Sequence, residues 1–261
     1  MTVPVVFLHG WAMNGAVFDD LARRLGSDFD CHAPDMPGHG KHSKAVSSLD
    51  ACAAVAKHWT DRLDRPILVG WSMGAGAAWR YVYQNGTSAL RALVTIDMSP
   101  RMMPGPNWDL GLLGQSSASI QATADRIIPD WQNMAGGIAH LMFAPDSSPT
   151  LSRSEIQALL LSQNPVHLQP MWEELKLMDE RDTISRIDIP YLICAGAQSR
   201  LYRPEVARWT AAQAKHARIQ SFANSGHSPH LEEPDAFCDA LRGFVAAERL
   251  AMQHQDQEVS Q

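Results

Sequence analysis

The segment Gly70-Trp71-Ser72-Met73-Gly74 follows the apolar run Ile67-Leu68-Val69 and opens directly onto the small-residue stretch Ala75-Gly76-Ala77-Ala78. A chain passing from strand to helix in so few residues must turn sharply, so the central serine takes a strained backbone and its hydroxyl is exposed. Glycine on both sides fits that geometry, because a Cβ would clash at so tight a crossing. Taken alone, the five residues could be a glycine-rich turn around a buried serine. The flanking strand and helix favour the strained turn instead. No Gly-Lys-Ser/Thr follows, which rules out a phosphate-cradling loop.

The rest of the chain supplies a sheet for this turn. Residues 3–8 are continuous, apolar and β-branched, as expected of a strand buried on both faces of a parallel sheet. Comparable runs lie at 29–33, 66–69, 92–96, 191–194 and 219–222. Between them, Cys52, Val55, Ala56, Trp59 and Leu63 mark one apolar helical stripe, and Phe237, Leu241, Phe244 and Val245 another. The alternation predicts an α/β domain with a mostly parallel sheet of about six strands flanked by helices. The interval between the runs at 92–96 and 191–194 is too long for one crossover and predicts an insertion. The expected organisation is a core of 1–98 and 185–250, a helical cap at 99–184, and a polar tail at 251–261 that frays. The insertion is rich in Met and Trp, including Met102, Met103, Trp108 and Trp172, residues that suit either its own core or an apolar ligand surface.

Composition narrows the partners. The 261 residues are 45% hydrophobic and 19% charged, an ordinary globular balance, and the formal charge of −6 offers no basic footprint for nucleic acid or an anionic membrane. No apolar run approaches the ~20 residues of a membrane helix. Four cysteines, Cys31, Cys52, Cys194 and Cys238, show no paired spacing, and nothing at Met1 resembles a signal segment. They are expected to be reduced thiols of a cytoplasmic chain. The sequon at Asn85 then never meets a glycosylating enzyme. His39 and His42, with His32 nearby, lack the acidic or thiol partners of a metal set, so no metal is expected.

A serine hydroxyl is a poor nucleophile without a base. Among eleven histidines, His227 stands out because Asn224-Ser225-Gly226-His227-Ser228-Pro229 follows the last strand, where a parallel sheet gathers its functional groups. His230 is the second candidate. The backbone amide of Met73 and, from the turn His9-Gly10-Trp11, that of Trp11 are the expected donors to an oxyanion.

His9-Gly10-Trp11, Asp35-Met36-Pro37-Gly38-His39-Gly40, the Ser72 turn and Gly226-His227-Ser228-Pro229-His230-Leu231-Glu232-Glu233-Pro234 resemble, in order and spacing, the α/β-hydrolase family. Within it, the His-Gly-Trp and Gly-Trp-Ser pairing is similar to the pimeloyl-carrier-protein methyl ester esterases and related small carboxylesterases. The resemblance implies a serine esterase acting through an acyl-enzyme on small to medium hydrophobic acyl groups, without a cofactor, on a small-molecule ester. It implies Ser72 as nucleophile and His227 as base; Trp71 of the turn and Trp108 of the Met- and Trp-rich insertion are the expected substrate contacts. Lactone or thioester hydrolysis, acyl transfer, and a non-catalytic binding role on the same fold remain open, as does a carrier-protein partner. The chain departs from the family's pattern where an acid is usual, reading Gly196-Ala197-Gln198-Ser199 in place of Gly-x-x-Asp. Some members take the acid from the end of the preceding strand, which here is Asp97. An Asp97 that only caps a turn, a polar Gln198/Ser199 pair, or an acidless dyad are the alternatives.

Overall fold

The structure is a computed structural model that describes the backbone of residues 2–259 and side chains through Ala247. Six strands, β1 (Val3–Leu8), β2 (Phe29–His32), β3 (Ile67–Trp71), β4 (Ala92–Ile96), β5 (Tyr191–Gly196) and β6 (Ala217–Phe222), form one sheet in the order β2-β1-β3-β4-β5-β6. Every pairing is parallel. The helices are α1 (Asp19–Leu25), α2 (Leu49–Thr60), α3 (Met73–Asn85), α4 (Ser117–Arg126), α5 (Trp131–Leu141), α6 (Arg153–Leu161), α7 (Pro165–Leu177), α8 (Arg181–Ile184), α9 (Pro204–Gln213), α10 (Pro229–Glu232) and α11 (Pro234–Val259).

Side chains alternate across a strand, so each central strand feeds two cores. Val3, Val5 and Phe7, with Ile67, Val69, Ala92 and Val94, face a core completed by Leu21 of α1 and by Phe237, Leu241 and Phe244 of α11. Val6, Leu8, Leu68 and Leu93 face the other, with Cys52 and Ala56 of α2, Ala78 and Val82 of α3, and Val206 of α9. This two-sided burial is why the runs read as continuous apolar stretches. β6 begins two residues before the run at 219–222 because it is the sheet edge, where exposed Arg218 precedes Ile219.

Helices α4 to α8 occupy the interval between β4 and β5. In it α5 packs on α6 and α4 on α7, while α7 also touches α2. The inserted residues belong to both cores, Trp131 and Leu160 to one and Ile120 and Leu175 to the other. The polar tail at 251–261, expected to fray, lies outside the residues whose side chains are described; the α11 backbone is helical as far as Val259. Among the described residues no helix is long and apolar enough to cross a membrane.

Candidate active site

Ser72 stands between β3 and α3 with φ 54° and ψ −119°, a conformation that side-chain-bearing residues adopt only when their surroundings impose it. The surroundings are the two glycines. A Cβ on Gly70 would lie 2.3 Å from the carbonyl oxygen of Gly74, and one on Gly74 would lie 2.0 Å from that of Leu8 in β1. The Ser72 amide donates to the carbonyl of Ile96 (3.0 Å), tying the turn to the end of β4. Met73 is the first residue of α3, where a backbone N–H has no acceptor within the helix.

The next residue after Ile96 is Asp97, also at positive φ (43°) and buried. Its Oδ2 lies 2.7 Å from His227 Nδ1 and 2.7 Å from the hydroxyl of Ser199. A carboxylate only accepts, so Nδ1 of His227 carries a proton and is the donor in this pair. Ser199 Oγ accepts from the amides of Leu201 (3.3 Å) and Tyr202 (3.2 Å), which directs its own proton to Asp97. The position that lacks the usual acid therefore holds a hydroxyl that supports an acid coming from β4.

The histidine loop is held from several sides. The His227 amide donates to Met142 O (3.0 Å), and its carbonyl accepts from Trp71 Nε1 (2.8 Å). Glu232, buried in α10, accepts from the amides of Gly226 (2.9 Å), Ser228 (3.1 Å) and Ala144 (2.6 Å), clamping the loop at both flanks and joining it to the insertion. His230 lies behind, fully buried, its ring 4.7 Å from that of Trp71 and 5.0 Å from that of Phe18. Neither of its nitrogens meets a hydrogen-bond partner among the described residues, and burial, with the neighbouring His227, pushes its pKa down to about 3.

Opposite this loop is the turn after β1. Buried His9 accepts from the Met36 amide at Nε2 (2.9 Å) and donates from Nδ1 to the Gly10 carbonyl (2.9 Å), an arrangement only the neutral ring can make. Burial first, then His39, holds its pKa down to about 3. The ring thereby fixes the orientation of the Gly10–Trp11 peptide. A Cβ on Gly10 would come within 3.1 Å of the Trp71 indole and 3.4 Å of Ser72 Cβ, so glycine lets this turn pack closely against Trp71 beside the serine. The Trp11 indole is anchored by its own N–H to Leu168 O (3.0 Å) and packs against Trp131 and Trp172.

Ser72, His227, Gly10, Trp11, Trp71 and Ser199 line one cavity of about 560 Å³. The insertion closes it with an apolar wall that includes Met102, Ile120, Ile138, Met142, Trp172 and Leu175. The structure thus brings Ser72, His227 and Trp11 to one cavity, with Asp97 bonded to His227 behind the wall and Met73 next to Ser72 in the chain. Trp71 belongs to the cavity wall, with its indole N–H committed to the His227 carbonyl. Trp108 does not reach it. A short bridge between Gly105 and Trp108 folds the segment back, and the indole packs edge-on against Trp209 (4.9 Å), under the guanidinium of Arg181 (5.1 Å), donating to Arg101 O (2.8 Å). The expectation that Trp108 touches substrate is corrected accordingly. Sequence reading did not single out the roles of Ser199 and Glu232. Glu232 carried no signal that sets it apart from its neighbour Glu233 between Pro229 and Pro234.

A family model described as the alpha/beta hydrolase family matches residues 5–240. The chain belongs to the alpha/beta hydrolase family. Two relatives of similar length are the pimeloyl-[acyl-carrier protein] methyl ester esterases of Vibrio cholerae serotype O1 and Vibrio atlanticus. Each is 28% identical to this chain, over 245 and 244 residues, covering 92% of it and 93% of the relative. Among solved structures, an esterase from Exiguobacterium antarcticum matches at a TM-score of 0.86 with 23% identity, and a bromoperoxidase from Bacillus anthracis at 0.85 with 20%. Both alignments cover 94% of this chain and 92% of the other. At such identities the likeness speaks for the fold of this alpha/beta hydrolase.

Proposed function

We propose that the protein is a serine hydrolase that cleaves carboxylic esters of small to medium hydrophobic acyl groups through an acyl-enzyme. The observation that carries the reading is that His227, in the wall of the cavity that also holds Ser72, hydrogen-bonds through Nδ1 to Asp97 buried behind it. In this reading Ser72 Oγ attacks the ester carbonyl as His227 Nε2 takes its proton, and Asp97 holds the ring's tautomer and stabilises the imidazolium. The amides of Met73 and Trp11 receive the charge that develops on the carbonyl oxygen. The alcohol leaves with the proton from His227, and water attacks the acyl-serine by the same route in reverse. The apolar wall from the insertion favours an aliphatic acyl chain, and the cavity volume is ordinary for a small ligand. The Vibrio relatives are named for a methyl ester on an acyl group borne by a carrier protein, and esters of short alcohols fall within this proposal.

Hydrolysis of p-nitrophenyl esters of rising acyl length tests it. Wild type is expected to show a burst of p-nitrophenol followed by steady turnover. Ser72→Ala and His227→Ala should remove both, and Asp97→Asn should lower kcat by about 10⁴. A Ser72→Ala protein that keeps folded-state spectra and hydrolyses these esters at the wild-type rate would refute the assignment.

A further inference from the structure

Three arginines in the loops at the carboxyl ends of the strands invite comparison: Arg101, Arg200 and Arg203. Arg101 has a carboxylate, Asp179, at 3.6 Å. Arg203 is exposed at the start of α9 and does not line the cavity. Arg200 is different. It is half-buried in the wall of the Ser72 cavity, one residue after Ser199, and among the described residues no carboxylate lies within ion-pair distance of it. Its guanidinium makes one hydrogen bond, from Nη1 to the carbonyl of His140 at the end of α5, at 3.4 Å. That is longer than the usual range for N–H···O. A guanidinium carries five donors in a fixed fork, so nearly all of this capacity is unspent.

The rest of the wall sharpens the point. No Asp or Glu is among the lining residues, and His227 and Arg200 are the only titratable or charged groups apart from the tyrosine hydroxyl of Tyr202. That hydroxyl is turned to Met98 Sδ, and the nearby Asp97 is engaged by His227 and Ser199. The cavity therefore offers donors and a fixed positive charge against apolar walls, where the field of an uncompensated cation is stronger than in water. The fork of an arginine matches a carboxylate in bidentate fashion.

We propose that Arg200 is a subsite for an anionic group, so that the preferred ester carries a carboxylate held apart from the scissile carbonyl. The inference rests on the ester-hydrolase reading above and adds the substrate class to it: half-esters of dicarboxylic acids, or esters whose alcohol portion bears the acid. In either arrangement the ester lies at Ser72, the linking methylenes run along the Leu141, Met142 and Leu201 surface, and the carboxylate meets Arg200.

The test compares monomethyl esters of saturated dicarboxylic acids with methyl alkanoates of matched chain length, and acetate esters of ω-hydroxy acids with the corresponding alkyl acetates. Wild type is expected to prefer the charged member of at least one pair. The ratio of kcat/KM, charged over neutral, should fall by about tenfold in Arg200→Gln through KM, recover in part in Arg200→Lys, and invert in Arg200→Glu. The pair that responds shows on which side of the ester the carboxylate sits. A ratio unchanged by all three substitutions overturns the subsite. Calorimetric titration of the free dicarboxylates into wild type and Arg200→Gln reads it without turnover: equal affinities, or no binding to wild type, overturn it as well. Failure to hydrolyse any ester while a dicarboxylate binds in an Arg200-dependent way would count against the hydrolase reading and leave the subsite standing.

Discussion

Asp97 leaves β4 with a left-handed backbone and meets His227 and Ser199 through one carboxylate oxygen. Ser199, with its oxygen already accepting two amides, acts on His227 only through Asp97. Ser199→Ala is therefore expected to lower kcat on an activated ester by about tenfold, the scale of one hydrogen bond to a charged group. In an Asp97→Asn background the same change should cost nothing further, because residues working through a shared partner are not additive. Independent, multiplicative losses in the two backgrounds would show that Ser199 works by another route. The serine was legible at this scale because a strained strand-to-helix turn needs small residues at fixed offsets. His227 was legible from its place after the last strand. The aspartate was only partly legible, since an acid at a strand end also caps turns, and a supporting hydroxyl leaves no pattern at all.

The site is assembled from five strand ends, and the element that joins them is the loop from β6 into α10. Glu232 bonds the amides on either side of His227 and the amide of Ala144, so its carboxylate couples the His227 loop to the insertion. Glu232→Ala would leave three buried donors unpaired. It should cost about 3 kcal/mol or more of stability and reduce kcat/KM with it, whereas Glu232→Gln, which keeps an acceptor, should lose less of both. Chemical denaturation with parallel kinetics checks this, and equal behaviour of the two variants would mean that the clamp is unimportant. At this scale the sequence displayed the central strands plainly, because burial on both faces makes them uniformly apolar. It displayed the edge strand β6 poorly, since half its residues face solvent. It also displayed an insertion by length alone, without showing that the Gly105–Trp108 bridge turns Trp108 away from the cavity.

Among the described residues, three buried imidazoles, His9, His39 and His230, are held neutral. Burial pulls His9 and His230 down to about 3 and His39 to about 4, against about 6.5 for a free imidazole. Between pH 6.5 and about 3 the unfolded chain binds protons that the folded chain refuses, so stability falls as the pH falls through that window. Each such group adds about 1.4 kcal/mol per pH unit to the slope. His230 sits among Phe18, Trp71 and Phe237 with both nitrogens unpartnered among the described residues, so His230→Phe suits its surroundings and should make the acid slope shallower by about that amount. Urea unfolding at several pH values measures it, and parallel slopes for variant and wild type would contradict the account. None of this was visible in the sequence, where a buried and a solvated histidine look alike; nor was the cavity, which forms only when loops from five strands meet the insertion.

The central claim is that the fold activates Ser72 through His227 and Asp97. Intact-mass spectrometry after incubation with a fluorophosphonate addresses it most directly, with Ser72→Ala and His227→Ala alongside. The account predicts a single adduct on wild type, none on Ser72→Ala, and strongly slowed labelling of His227→Ala. A folded wild-type protein that takes up no adduct, or a Ser72→Ala variant that is labelled as fast as wild type, would contradict it.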